Sequence, residues 1–102
     1  PPMADQGLGL AVTRLADVPG LTEGEHFATY GTIKKTEART SRDGKPYHVL
    51  EIFDGPTSLS FFWWHRLQPW MVANTAVRIT DAQVGKVFYG RRQYRADAIE
   101  QG

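Results

Sequence analysis

Apolar and polar residues alternate in short runs along this chain, and glycine- or proline-bearing turns separate the runs. That pattern predicts an all-β domain. From Glu25 to Thr36, the residues Phe27, Thr29, Gly31 and Ile33 share one side of a strand, and Gly31 predicts a bend or bulge in it. Residues 37–46 are polar and basic and read as a hairpin loop with Asp43-Gly44 at its tip. Tyr47 to Phe53 is the second strand, Asp54-Gly55-Pro56-Thr57 turns the chain, and Leu59 to Trp64 is the third. Next, His65 to Asn74 holds Leu67, Trp70 and Met71 at helical spacing. Pro69 suits a first turn and Asn74 an end, so a short helix is expected there. Ala76 to Val84 is the fourth strand, Phe88 to Arg92 a hairpin, and Gln93 to Ile99 the fifth strand. Residues 1–10 are Gly-rich and expected to be loose, and Thr13 to Val18 is a short leading element before the Pro19-Gly20 turn.

Strand parity divides the side chains between two faces. Leu50 and Ile52 mark the core side of the second strand, which sends Tyr47, Val49, Glu51 and Phe53 outward and His48 to the core or its rim. In the third strand Leu59, Phe61 and Trp63 share the core parity, and Ser60, Phe62 and Trp64 the outer one. Four adjacent aromatics, Phe61 to Trp64, cannot all enter one core. Two of them must meet solvent, a partner or another part of the chain.

A chain of 102 residues makes one domain with a real core. The expected division is an acidic, partly ordered extension over residues 1–21 and a folded domain over 22–102. The absence of cysteine excludes disulfides, thiolate metal sites and cysteine nucleophiles, and fits a reducing, cytoplasmic location. No apolar run approaches the roughly 20 residues of a membrane span, and the first residues carry no secretory pattern. The formal net charge of +1 hides an asymmetry: residues 1–25 carry −3 and the remainder +4. Lys34, Lys35, Arg39, Arg42 and Lys45 cluster around one loop, and Lys86, Arg91, Arg92 and Arg95 around another. Two basic loops beside an aromatic strand suit a polyanion.

The bent first strand with its internal glycine, the basic loop and the run "GKPYHVLEIFDG" come before an aromatic third strand. A closing strand with "YRADAIE" completes the pattern, and residues 22–100 taken together resemble an OB-fold. The resemblance implies a five-stranded Greek-key barrel with a short helix between strands 3 and 4. More narrowly, it is similar to the nucleic-acid-binding OB domains of bacterial helicases and exonucleases. The turn Asp54-Gly55-Pro56-Thr57-Ser58 departs from their usual Asp-x-Thr-Gly. The likeness implies binding of single-stranded DNA or RNA with little sequence preference, as in DNA replication or repair. The chain would act alone or as a module of a larger parent enzyme. The expected interface comprises Tyr47, Phe62 and Trp64 as a stacking platform, with Lys34, Lys35, Arg39, Arg42 and Lys45 on one side. Lys86, Tyr89, Arg91, Arg92 and Tyr94 lie on the other.

Other classes draw less support. His26, His48 and His65 lie on separate elements without metal-ligand spacing. Asp54 reads as a turn residue, and no paired carboxylates or phosphate loop stand out, so neither catalysis nor a cofactor is expected. The alternative to nucleic acid is a protein-docking or homodimer surface made by Val49, Phe62 and Trp64, with the basic loops as a solvated rim. The acidic N-terminal residues could also fold back over the basic face and compete for it.

Overall fold

β1 runs from His26 to Thr40 and serves two neighbours. Its first half pairs with β4 (Ala76–Phe88), from His26↔Gln83 to Thr32↔Ala76. Its second half pairs with β2 (Pro46–Asp54), from Thr32↔Phe53 to Thr40↔Pro46. A strand that changes partners midway must bend, and bulges at Phe27/Thr29 and Ile33/Lys35 supply the bend. Gly31 sits between them. A Cβ there would lie 2.6 Å from Ile52 Cγ2 and 2.8 Å from the Phe53 carbonyl oxygen, so the bend rests on a bare backbone packed against β2. Gly31→Ala is therefore expected to cost about 1–3 kcal/mol, read as a lowered thermal midpoint with the native spectrum kept.

The computed structural model describes residues 10–102. With β3 (Thr57–Trp63) and β5 (Arg91–Gln101), the sheet closes in the order β1-β2-β3-β5-β4 and back to β1. Every pairing is antiparallel except β3 with β5, which run parallel from Phe61↔Tyr94 to Trp63↔Ala96. The predicted all-β, five-stranded barrel is therefore present, and its inner parity is as expected: Leu50, Ile52, Phe61 and Trp63 are all buried. Phe27, Phe61 and Tyr94 meet at the centre with ring centroids 5.7–6.3 Å apart.

Four expectations change. First, His65 to Asn74 forms successive turns, with no helix. Three apolar residues around Pro69 are too few to sustain a helix nucleus. The chain is instead held by Asn74 N–H donating to Ile33 O (2.7 Å) and Ile33 N–H donating to Thr75 O (2.9 Å). Met71 is buried, and Leu67 and Trp70 pack on the core from this segment.

Second, the helical element among the described residues is a 3-10 turn, Leu15–Gly20, ahead of β1. Leu15 and Val18 are fully buried, so the core draws on residues before 22 and the expected domain boundary moves toward the N-terminus. Residues 11–13 also join β1, through the Val12↔Ala28 bridge and Thr13 N–H donating to Ala28 O (2.7 Å). The described part of the acidic stretch is thus built into the barrel, and it meets the expected basic face at Arg92, which donates to the Leu21 carbonyl. The loose leader expected over residues 1–10 lies, apart from Leu10, outside the described residues.

Third, the β1–β2 loop is only Ser41–Lys45, closed by Ser41 Oγ donating to Asp43 (2.7 Å) and accepting from Lys45 N–H (3.0 Å). Arg39 joins Lys34 and Lys35 as a strand residue, because the backbone groups of the polar stretch 36–40 are satisfied by β2.

Fourth, β4 and β5 continue to a two-residue turn, Tyr89-Gly90, with φ of 52° and 76°. Both central residues are left-handed, as a type I′ hairpin requires.

Candidate nucleic-acid interface

The outer face of β2 and β3 carries the aromatic cluster that parity predicts. Tyr47 on β2 lies 4.4 Å from Trp64, centroid to centroid, with the rings inclined by 25°, and 5.5 Å from Phe62. Trp64 follows the last residue of β3 and is 40% exposed. Tyr47 and Trp64 stack on each other rather than standing apart, so the cluster presents one continuous aromatic step. Val49 faces outward as expected yet is only 8% exposed, because Phe62 stands directly opposite it across the strand pair.

The strand cations around this cluster are paired. Lys34 and Lys35 both reach Glu51, at 3.7 and 3.9 Å, since the bulge at Ile33/Lys35 turns two successive side chains to the same face. Arg39, opposite Tyr47, binds Glu37 at 2.8 Å, and that carboxylate strengthens its hold on its proton. A hydrogen bond from Ser58 Oγ (2.8 Å), then the two lysines, holds the Glu51 carboxyl below its ordinary range. Its contribution to stability is therefore present above the unfolded-state value. It is lost only as pH falls through the lower folded-state value.

Sequence reasoning grouped Arg95 with the second basic loop and left it out of the expected interface on this face. It lies directly across from Phe62 on β5 and is tied to Asp97 (2.8 Å) and Gln83 (2.7 Å). The signal was available: once Tyr94 and Ala96 are core, Arg95 must point outward.

The remaining candidates separate. Arg42 and Lys45 lie in the exposed β1–β2 loop beside Tyr47, while Lys86 and Arg91 flank the β4–β5 turn at the opposite end of the face. None of these four has a carboxylate partner among the described residues. Arg92 donates to the Leu21 carbonyl at the barrel end. Tyr89 is fully exposed at the hairpin tip, away from the platform. Tyr94 is not a surface residue: it is 4% exposed, packs against Phe27 and Phe61, and burial pushes its phenol up. Its parity is that of Ala96, which faces the core. His48 lies beside the core with a buried, unpartnered Nδ1, and His65 stands edge-on to Trp63 (4.8 Å) rather than to the platform. Among the described residues no group of three or more His, Cys, Asp or Glu is placed to hold a metal.

The strand order and its single parallel pair define an OB-fold barrel. No protein-family model matches the chain, and no curated protein matches it in sequence. Its barrel is similar to the solution structure of a replication factor A related protein from Methanobacterium thermoautotrophicum. The two share 21% identity over 79% of this chain and 84% of that one, with a TM-score of 0.56.

Proposed function

We propose that this protein binds single-stranded nucleic acid, DNA or RNA, with little sequence preference, across the outer face of β2 and β3. The observation that carries the proposal is the Tyr47–Phe62–Trp64 cluster, with Trp64 exposed and Tyr47 and Phe62 half-buried beside it, on the face that OB-folds use for oligonucleotides. The occurrence of a similar barrel in a replication factor A related protein supports it. A base stacks on the outer side of Trp64, Tyr47 backs that ring, and Arg42 and Lys45 take the adjoining phosphates. Lys86 and Arg91 take phosphates at the far end. The chain works as a binding module rather than an enzyme, in the cytoplasm.

The pairing of the strand cations makes the proposal quantitative. Four free cations give a slope of log K against log salt of about −3, whereas engagement of all eight predicted cations would give about −6. Titration of a labelled oligothymidylate and its RNA counterpart, followed by tryptophan quenching at several salt concentrations, tests this directly. Salt-sensitive quenching with the shallower slope supports the reading. Absence of binding at low salt overturns it and makes the aromatic patch a protein-docking surface.

Glu51 restrains the same interface. Glu51→Gln removes a negative charge and frees Lys34 and Lys35. It is expected to tighten oligonucleotide binding by about 1 kcal/mol, roughly fivefold, with a steeper salt slope in the same titration.

A further inference from the structure

β3 and β5 run side by side only from Phe61↔Tyr94 to Trp63↔Ala96. Ahead of that point they diverge and leave a notch of about 360 Å³. Ser58 and Ser60 border it from β3, Arg91 and Arg92 from β5, and Pro19 from the 3-10 turn.

The register decides what the β3 edge offers to this notch. Asp54↔Thr57 closes the turn between β2 and β3, so those two residues bond to each other. Alternation along an antiparallel pair then turns the N–H groups of Ser58 and Ser60 away from β2 and toward the notch. The β3–β5 ladder has not begun there.

Tyr94 belongs to the same wall. Its ring is buried against Phe27 and Phe61. Its hydroxyl nevertheless has no hydrogen-bond partner among the described residues. Burial pushes the phenol up and the Arg92 guanidinium pulls against it, so hydroxyl and guanidinium face the same space. Arg92 gives an N–H to the Leu21 carbonyl, which leaves its other donors free. Neither Arg91 nor Arg92 has a carboxylate partner among the described residues, and no carboxylate among them lines the notch. Glu51, which accepts from Ser58 Oγ, stands on β2 and is engaged by Lys34 and Lys35.

A phenol hydroxyl, a pair of guanidinium groups and outward N–H groups are all donors. Gathered in one small recess, they suit a compact anion with several oxygens. We infer that the notch binds a phosphate monoester, the end of a nucleic-acid strand lying on the β2–β3 face. A monoester offers three acceptor oxygens and about two negative charges, whereas each phosphodiester inside a strand carries one charge. The notch is closed where Phe61 meets Tyr94, so it takes the end of a chain rather than its middle. Ser60 lies two residues from Phe62 on the same face of β3, about 7 Å away. A strand stacked on the aromatic cluster therefore reaches the notch. The source of the phosphate rests on the proposed nucleic-acid binding; the recess itself does not.

Oligothymidylate carrying a phosphate on its 5′ end, on its 3′ end or on neither tests the inference at one salt concentration. An added charge strengthens binding to a basic surface from either end alike, whereas a site favours one end. The wild type is expected to bind one phosphorylated form about tenfold tighter than the hydroxyl-ended strand, and the other less than about twofold tighter. Tyr94→Phe, which removes only the hydroxyl, and Arg92→Gln are each expected to cut that tenfold ratio to about threefold or less, with thermal melts reporting the fold. Inorganic phosphate, followed by amide shifts at Ser58, Ser60, Arg91 and Arg92, probes the notch without nucleic acid. If those amides shift while hydroxyl-ended oligonucleotide fails to bind, the nucleic-acid reading falls and the notch stands as a site for free phosphate. Shifts without an end preference assign free phosphate in the same way. Equal gains from both ends with no shifts at the notch overturn the inference, and so does a ratio unmoved in both variants.

Discussion

Replacing Phe61 with alanine will remove a large share of the stability of this domain. The side chain is fully buried at the middle of β3, opposite Leu50 on β2 and Tyr94 on β5. Its ring lies 6.3 Å from Phe27 and 5.7 Å from Tyr94. Phe→Ala at such a site costs about 3–5 kcal/mol, out of roughly 5–15 kcal/mol for a typical domain. The position is also where the barrel closes, because only Phe61 to Trp63 pair β3 with β5. Urea unfolding is expected to show the midpoint falling by about half, or no folded baseline at all. A loss under about 1 kcal/mol would mean that Phe61 does not sit in the core.

Trp64→Ala, three residues on, should do the opposite: spare the fold and damage binding. Its ring stacks on Tyr47 outside the barrel. Surface substitutions of this kind change stability by about 0.5 kcal/mol or less, while a lost base–aromatic stack costs about 1–3 kcal/mol, or 5- to 150-fold in Kd. Trp63→Ala is the natural control. That neighbour is buried, with its indole Nε1–H donating to Arg66 O (3.1 Å), and its loss should unfold rather than unbind. Two adjacent tryptophans with separate outcomes, read by thermal melts and oligonucleotide titration side by side, would confirm the face assignment. Equal stability losses would refute it.

Period-two alternation made the barrel legible because one face of each strand is dry. Leu50, Ile52, Phe61, Trp63, Val77 and Ile79 mark that face without ambiguity, and the outer positions of Tyr47, Phe62 and Trp64 follow at once. Alternation says nothing where neither face is buried. The polar ribbon from Glu37 to Thr40 and the hairpin tip at Val87 and Phe88 are strands held by cross-strand hydrogen bonds, and hydropathy reads them as loop. The helix expected over His65 to Asn74 failed for a different reason. Spacing of three apolar residues cannot reveal that Asn74 and Thr75 are claimed by the backbone of Ile33.

Tyr94 was drawn to the surface by its arginine neighbours, although it shares the parity of Ala96, which faces the core. The ion pairs of Glu51 with Lys34 and Lys35 depend on a bulge that no local pattern discloses. Charge clustering therefore overstated how many cations are free for a ligand.

The central proposal is that oligonucleotide meets this protein on the outer face of β2 and β3. Proton–nitrogen correlation spectra recorded during titration with a short oligothymidylate map that contact residue by residue. The expected result is shifts concentrated at the Trp64 indole and the amides of Lys45, Tyr47, Val49, Phe62 and Arg95, weakening as salt is raised. Shifts confined to the β1–β4 side around Val12, Tyr30 and Arg78, or none at low salt, would contradict it.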